Sequence, residues 1–234
     1  MTMEPVPDDW ERALAVVAHP DDMEYGAAAA VAHWTASGKR VSYLLVTRGE
    51  AGIDALPPAE CARVREAEER ASAAIVGVES VEFLDHPDGL IEYGIPLRRD
   101  IALAIRRHRP HVVVTINHEE TWGGGHLNMA DHRHAGLATL DAVRDAANPW
   151  VFRDPSGPEV WPGVRFALVA GAADPTHFVD VSAELEVGIA SLEAHARYLE
   201  HVGTDARAFL TSTAEQTGRE CGTTYATSFG LVSL

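Results

Sequence analysis

The sequence predicts a single α/β domain over residues 1–234, built on a mostly parallel sheet flanked by helices. Three observations carry that expectation. The chain has 234 residues, 46% hydrophobic and 23% charged, the balance of an ordinary globular domain. Short apolar runs alternate with helical patterns, the cue for parallel βαβ units. Polar residues cluster directly after each of the first four apolar runs, which places them together on one sheet edge. A chain of this size exposes roughly 10,000 Å² when folded against about 36,000 Å² when unfolded, so its core needs no disulfide staples.

Taken in order, residues 14–18 read as a buried strand, followed by a small-residue helix over 24–37 that stops at Gly38. Residues 41–46 form a second strand. A Pro-Pro start and Gly77 bound a helix over 58–76. A third strand covers 81–84. A helix over 96–108 ends before Pro110, and the fourth strand covers 111–116. Residues 130–147 are helical, and the proline-bearing stretch 148–163 is a long loop. A late C-terminal extension adds strands at 166–170 and 178–181. It also adds a long helix over 182–202 capped by Ser182 and another over 205–216. The whole is a Rossmann-like sheet. No G-x-G-x-x-G follows the first strand, which argues against a dinucleotide site.

The charge balance narrows the partners. With 35 acidic and 19 basic residues the net charge is −16, which repels nucleic acid and anionic lipid surfaces. No apolar run approaches the ~20 residues of a membrane span. The acidic N-terminus lacks the basic region of a secretory signal. Cys61 and Cys221 stand alone, so a reduced, cytoplasmic protein is expected. A small molecule is the expected partner, and homo-oligomers are left open.

The polar clusters are His19-Pro20-Asp21-Asp22, Thr47-Arg48-Gly49-Glu50, Asp85-His86-Pro87-Asp88-Gly89 and Asn117-His118-Glu119-Glu120, the last running on to Asp131-His132. His19 and Asp22, three apart in a turn, can point at one ion, and His132 supplies a third ligand at a helix start. Two imidazoles and one carboxylate leave positions open for water, the make-up of a hydrolytic zinc site or a non-haem iron site. Asp21 is placed to take a proton from water at such a site. The plainer reading makes His19 a buried structural histidine and the two aspartates helix caps.

The stretch Val17-Ala18-His19-Pro20-Asp21-Asp22-Met23-Glu24 resembles the AHPDDxE signature of the PIG-L/LmbE-like de-N-acetylases. Thr47-Arg48-Gly49-Glu50-Ala51-Gly52 is similar to the TxGExG loop of that family, and Arg65 to Glu68 to its RxxE helix. Phe83-Leu84 through Asp88-Gly89 is similar to its FLxxxDG turn, and Asp131-His132-Arg133 to the end of its HPDHR motif. The resemblance implies one divalent ion, Zn²⁺, on His19, Asp22 and His132, with Asp21 as general base. It implies a sugar pocket lined by Glu50, Arg65 and Asp88. The activity implied is removal of an N-acetyl or similar N-acyl group from an amino sugar conjugate.

Two alternatives are an amidase acting on a mycothiol-like conjugate with a larger acyl group and a family member that binds metal with weakened catalysis. Two departures bear on this. Met129 stands where the family carries a histidine three residues before the distal ligand, so another donor is needed. His126 is the first candidate, ahead of His118 and His134, and Gly123, Gly124 and Gly125 give its loop unusual freedom. His195-Ala196-Arg197-Tyr198 replaces the family's HxSQ, which leaves the acceptor open.

Overall fold

A computed structural model describes residues 3–122 and 124–234. Its chain order is β1 (Glu4–Pro5), β2 (Arg12–Val17), α1 (Asp22–Gly26), α2 (Ala28–Ala36), β3 (Arg40–Leu45), α3 (Pro58–Ile75), β4 (Ser80–Phe83) and α4 (Ile95–His108). It continues with β5 (Val112–Ile116), α5 (Ala130–Ala147), β6 (Phe166–Ala170), β7 (His177–Asp180), α6 (Leu185–Glu193), α7 (Ala196–Val202), α8 (Ala206–Cys221) and β8 (Ala226–Ser233).

The strands form one eight-stranded sheet in the order β1-β7-β8-β6-β5-β2-β3-β4. Strand β2 pairs in parallel with β3 on one side and β5 on the other, with Ala15 opposite both Tyr43 and Val114. The chain therefore leaves β2 toward β3 and β4 and returns toward β5 and β6. This reversal opens a crevice at the carboxyl ends of β2 and β5, where open α/β sheets place their ligands.

Residues of β2, with Ala18 directly after it, alternate between two cores. Ala13, Ala15 and Val17 pack with Val41, Tyr43 and Val114 on one face. Leu14, Val16 and Ala18 pack with Leu44, Val113 and Ile105 on the other. Burial on both faces explains why the central strands read as continuous apolar runs rather than alternating ones. The long loop after α5 is anchored by buried Arg106, which donates to the carbonyls of Asp145, Ala146, Asn148, Val151 and Phe152. No described helix is long and apolar enough to cross a membrane.

Three local expectations change. The single helix over 24–37 is two helices broken at Ala27, whose φ of −155° redirects the chain. The helix over 182–202 starts later and breaks at His195, and Ser182 does not cap it. The Ser182 hydroxyl instead donates to Asp180 Oδ1 in a turn. The third change is β8, which runs antiparallel between β6 and β7. Its run of Thr227, Ser228 and Gly230 hides the strand, because only Ala226 and Phe229 of its residues are fully buried.

Candidate active site

The site is built at the crevice, starting from the turn after β2. Asp21 holds φ at 86°, a left-handed conformation that costs a non-glycine residue energy and so marks an imposed geometry. That twist lets Asp22 fold back. Its Oδ2 accepts the N–H groups of Ala18 at 3.0 Å and His19 at 2.9 Å, and its Oδ1 lies 3.1 Å from His132 Nε2. His132 stands in the first turn of α5, reached from β5. The two halves of the sheet thus meet at Asp22.

Hydrogen bonds assign the ring protons. Buried Asn128 donates from Nδ2 to the carbonyls of Asn117 and Glu119, so its Oδ1 is the acceptor 3.0 Å from His132 Nδ1. That contact places a proton on His132 Nδ1, so Nε2, which faces Asp22, is the ring atom that would bind an ion. His19 Nε2 lies 3.1 Å from Asp88 Oδ1 and 3.2 Å from Asp131 Oδ2, while its Nδ1 faces Asp22 Oδ2 at 3.8 Å. Burial alone would depress His19, but the carboxylates of Asp131, Asp22 and Asp88 raise its pKa well above the usual range. Burial pulls Asp22 upward, and the two imidazoles outweigh it and drive its pKa far down.

The donor atoms of His19, Asp22 and His132 lie within 4.8 Å of one another, a set that fits one divalent cation. His19, Asp88 and Asp131 are equally close. In that set, however, both Asp131 oxygens accept backbone N–H groups, from Gly89 and Ile91, and one Asp88 oxygen accepts that of Ala51. Asp131 therefore orients the His19 ring. Sequence reasoning grouped Asp131 with His132 but gave it no task, and its place directly before that histidine was the available signal.

Asp21 points the other way, its Oδ1 3.1 Å from Arg65 Nη2. Burial pushes its carboxyl up to about 6 against the opposing pull of the Arg65 guanidinium. Arg65 is 1% exposed, also donates to the Pro20 carbonyl and lies 3.7 Å from the centre of the Tyr198 ring. Behind it Glu69 accepts the Asp21 N–H at 3.2 Å. His195 Nε2 lies 3.6 Å from Glu24 Oε2 and 3.7 Å from Glu69 Oε2, all three residues being buried. Burial, reinforced by Glu24, holds Glu69 well above the ordinary carboxylate range. The helix break at His195 thus packs a polar cluster against the back of Asp21.

A cavity of about 880 Å³ opens over these groups and is lined by His19, Asp21, Asp22, Arg65, Asp88, His126 and His132, among others. Glu50 is not in its wall. Its carboxylate accepts the N–H groups of Arg48 and Asp88 and so clamps two loops together. Of the three histidines considered as donors, His126 lines the cavity and His118 and His134 do not. His134 is tied to the Ile91 carbonyl. His126 is exposed on a turn closed by the Trp122 N–H to its own carbonyl, with Gly124 and Gly125 at positive φ. Gly123 lies outside the described residues. The Trp122 ring packs edge-on to His132 and against Gly171, and Met129, 47% exposed, stands at the start of α5 on the cavity wall.

Comparison with known proteins places the chain in a family. Residues 14–143, which contain every ligand candidate, match the family described as GlcNAc-PI de-N-acetylase, PIG-L. Diacetylchitobiose deacetylase of Thermococcus kodakarensis is 30% identical, over 94% of this chain and 82% of its own length. A 1D-myo-inositol 2-acetamido-2-deoxy-α-D-glucopyranoside deacetylase of Kineococcus radiotolerans is also 30% identical, over 81% of this chain and 69% of its own. The solved N,N'-diacetylchitobiose deacetylase of Pyrococcus horikoshii superposes with a TM-score of 0.85 at 22% identity, covering 96% of this chain and 85% of the other. The chain belongs to the PIG-L family of de-N-acetylases, hydrolases of amide carbon–nitrogen bonds.

Proposed function

We propose that the protein removes the N-acetyl group of an N-acetylglucosamine-like sugar conjugate, using one divalent ion held by His19, Asp22 and His132. The observation that carries this reading is that the three ligand atoms lie within 4.8 Å of one another in the wall of a cavity that Asp21 also lines. Two nitrogens and one oxygen suit Zn²⁺ among the common divalent ions. When bound, such an ion polarises the amide carbonyl and acidifies water.

The chain's own residues do the rest. Asp21 takes a proton from the attacking water, and its elevated pKa makes it a stronger base than an ordinary aspartate. Arg65 and the Glu69 contact to the Asp21 N–H hold that carboxylate in place. Asp88 and Arg65 border the space for the sugar, and Glu50 acts one step back by fixing the loop that carries Asp88. His126 is the proposed proton donor to the departing nitrogen. As the C–N bond breaks and the C–O bond forms, the products are acetate and the free amine.

The test is amine release from an N-acetylglucosamine glycoside by metal-free protein reloaded with Zn²⁺, Mn²⁺, Co²⁺ or Ni²⁺ in turn. Turnover with at least one ion, abolished by chelation, is the expected result. Absence of amine release with every ion would overturn the reading.

A further inference from the structure

The cavity has two unlike ends. Its Asp, Glu and Arg side chains are Asp21, Asp22, Glu24, Arg65 and Asp88, gathered around the turn after β2 and the loops that face it. The remainder is an arm over the carboxyl ends of β5 and β6 and the start of β8, roofed by α8. Its walls include Ala28, Ala170, Leu185, Leu210, Thr213 and Ala226, and no Asp, Glu, Lys or Arg. At about 880 Å³ the cavity lies in the upper part of the ~300–1,000 Å³ range that takes drug-sized ligands, far more than a sugar with an acetyl group fills.

Topology sets which part of a substrate enters the arm. The scissile carbonyl must lie at His19, Asp22 and His132, on the boundary between the two halves of the sheet. The loops after β3 and β4 supply Gly49, Gly52 and Asp88, joined by Arg65 of α3, and these suit the hydroxyl-rich sugar on the nitrogen side of the amide. The carbon side of the amide then points across the boundary toward β6 and β8, into the uncharged arm. A group attached at the sugar's anomeric carbon leaves on the polar side and does not reach it.

We propose that this arm is an acyl-chain subsite, and that the enzyme hydrolyses amino sugars carrying linear N-acyl groups longer than acetyl. The proposal rests on the amide-hydrolase reading above and adds the acyl class. Each methylene moved from water into an apolar wall contributes a roughly three- to fourfold gain in kcat/KM until the arm is filled.

The experiment compares N-acetyl-, N-butanoyl-, N-hexanoyl- and N-octanoylglucosamine as substrates of the metal-loaded protein, with the octyl glycoside of N-acetylglucosamine alongside. The expected result is a stepwise rise of kcat/KM with acyl length and no such gain for the octyl glycoside. Thr213→Trp, on the cavity side of α8, is expected to lower the octanoyl-to-acetyl ratio at least tenfold. Thr217→Trp, one turn on, serves the same purpose if the first variant fails to fold. Turnover of acetyl alone, or a ratio unchanged in both variants, overturns the acyl subsite and leaves the deacetylase reading standing. A gain for the octyl glycoside instead assigns the arm to the aglycone and overturns the proposal. Failure of every substrate removes both readings together.

Discussion

The two halves of the cleft solve different problems. Around the ligand atoms the carboxylates are pinned by the backbone: Asp22 is fixed by two N–H groups, Asp131 by two, and Asp88 by one. Across the boundary, over β5, β6 and β8, the walls are mostly apolar and small side chains, among them Ile116, Ala170, Leu210 and Thr213, and carry no carboxylate or guanidinium. Rigid polarity is what a reacting amide needs, because charge develops there and misplacement by an ångström is costly. A smooth apolar wall suits a group that only has to be accommodated. Substitutions should therefore divide in kind, abolishing chemistry on one side and shifting substrate preference on the other.

The largest effect expected is from His132→Ala. It leaves His19 and Asp22 as a two-ligand site, so elemental analysis should find the ion lost and amine release at background. Full metal occupancy would show that the ion sits elsewhere. Next comes Asp21→Asn, which keeps the shape and the contact to Arg65 but removes basicity. The ion should stay while kcat falls by ~10²–10⁴-fold. A kcat near wild type at saturating substrate would reduce Asp21 to a structural residue of the turn.

The same contrast explains what the sequence disclosed. His19, Asp21 and Asp22 lie within four residues, so local spacing alone brought them together, and the alternation of apolar runs placed them at a strand end. Asp131 and Asn128 were harder to read. Asp131 holds the His19 ring only because β5 lies beside β2, whereas Asn128 holds His132 from four residues away, a local spacing that no motif marks. Glu50 shows the reverse, since its motif implies a place against the sugar while its carboxylate is taken up by backbone N–H groups. The apolar arm has no motif at all. It is assembled from α2, α6, α8 and β8, and β8 itself escapes alternation because its Thr, Ser and Gly positions are only half-buried.

A smaller effect tests whether the polar half depends on its supporting hydrogen bonds. Asn128→Leu removes the acceptor of His132 Nδ1–H without touching a ligand atom. Loss of such a partner commonly costs ~10–100-fold in metal affinity or activity. Titration of the metal-free variant with Zn²⁺ should show that weakening, and excess Zn²⁺ should recover most of the turnover. Unchanged affinity would mean that α5 alone orients the ring.

The smallest effect expected lies on the boundary between the halves. Met129 cannot transfer a proton, and it stands exposed on the cavity wall at the start of α5. His126 lines the same cavity from a turn held by its own carbonyl and by Gly124 and Gly125 at positive φ. An exposed ring on such a turn is less well positioned than a buried one. Its removal should therefore cost roughly tenfold in kcat, below the ~10²–10⁴-fold typical of a fixed acid or base. His126→Ala should keep its metal and lose kcat more than KM. Adding Met129→His to that variant places an imidazole three residues before His132, one helical turn from the ligand, and should restore kcat. Unchanged rates in His126→Ala would show that proton delivery to the amine needs no histidine here, leaving Asp21 to return the proton it took from water.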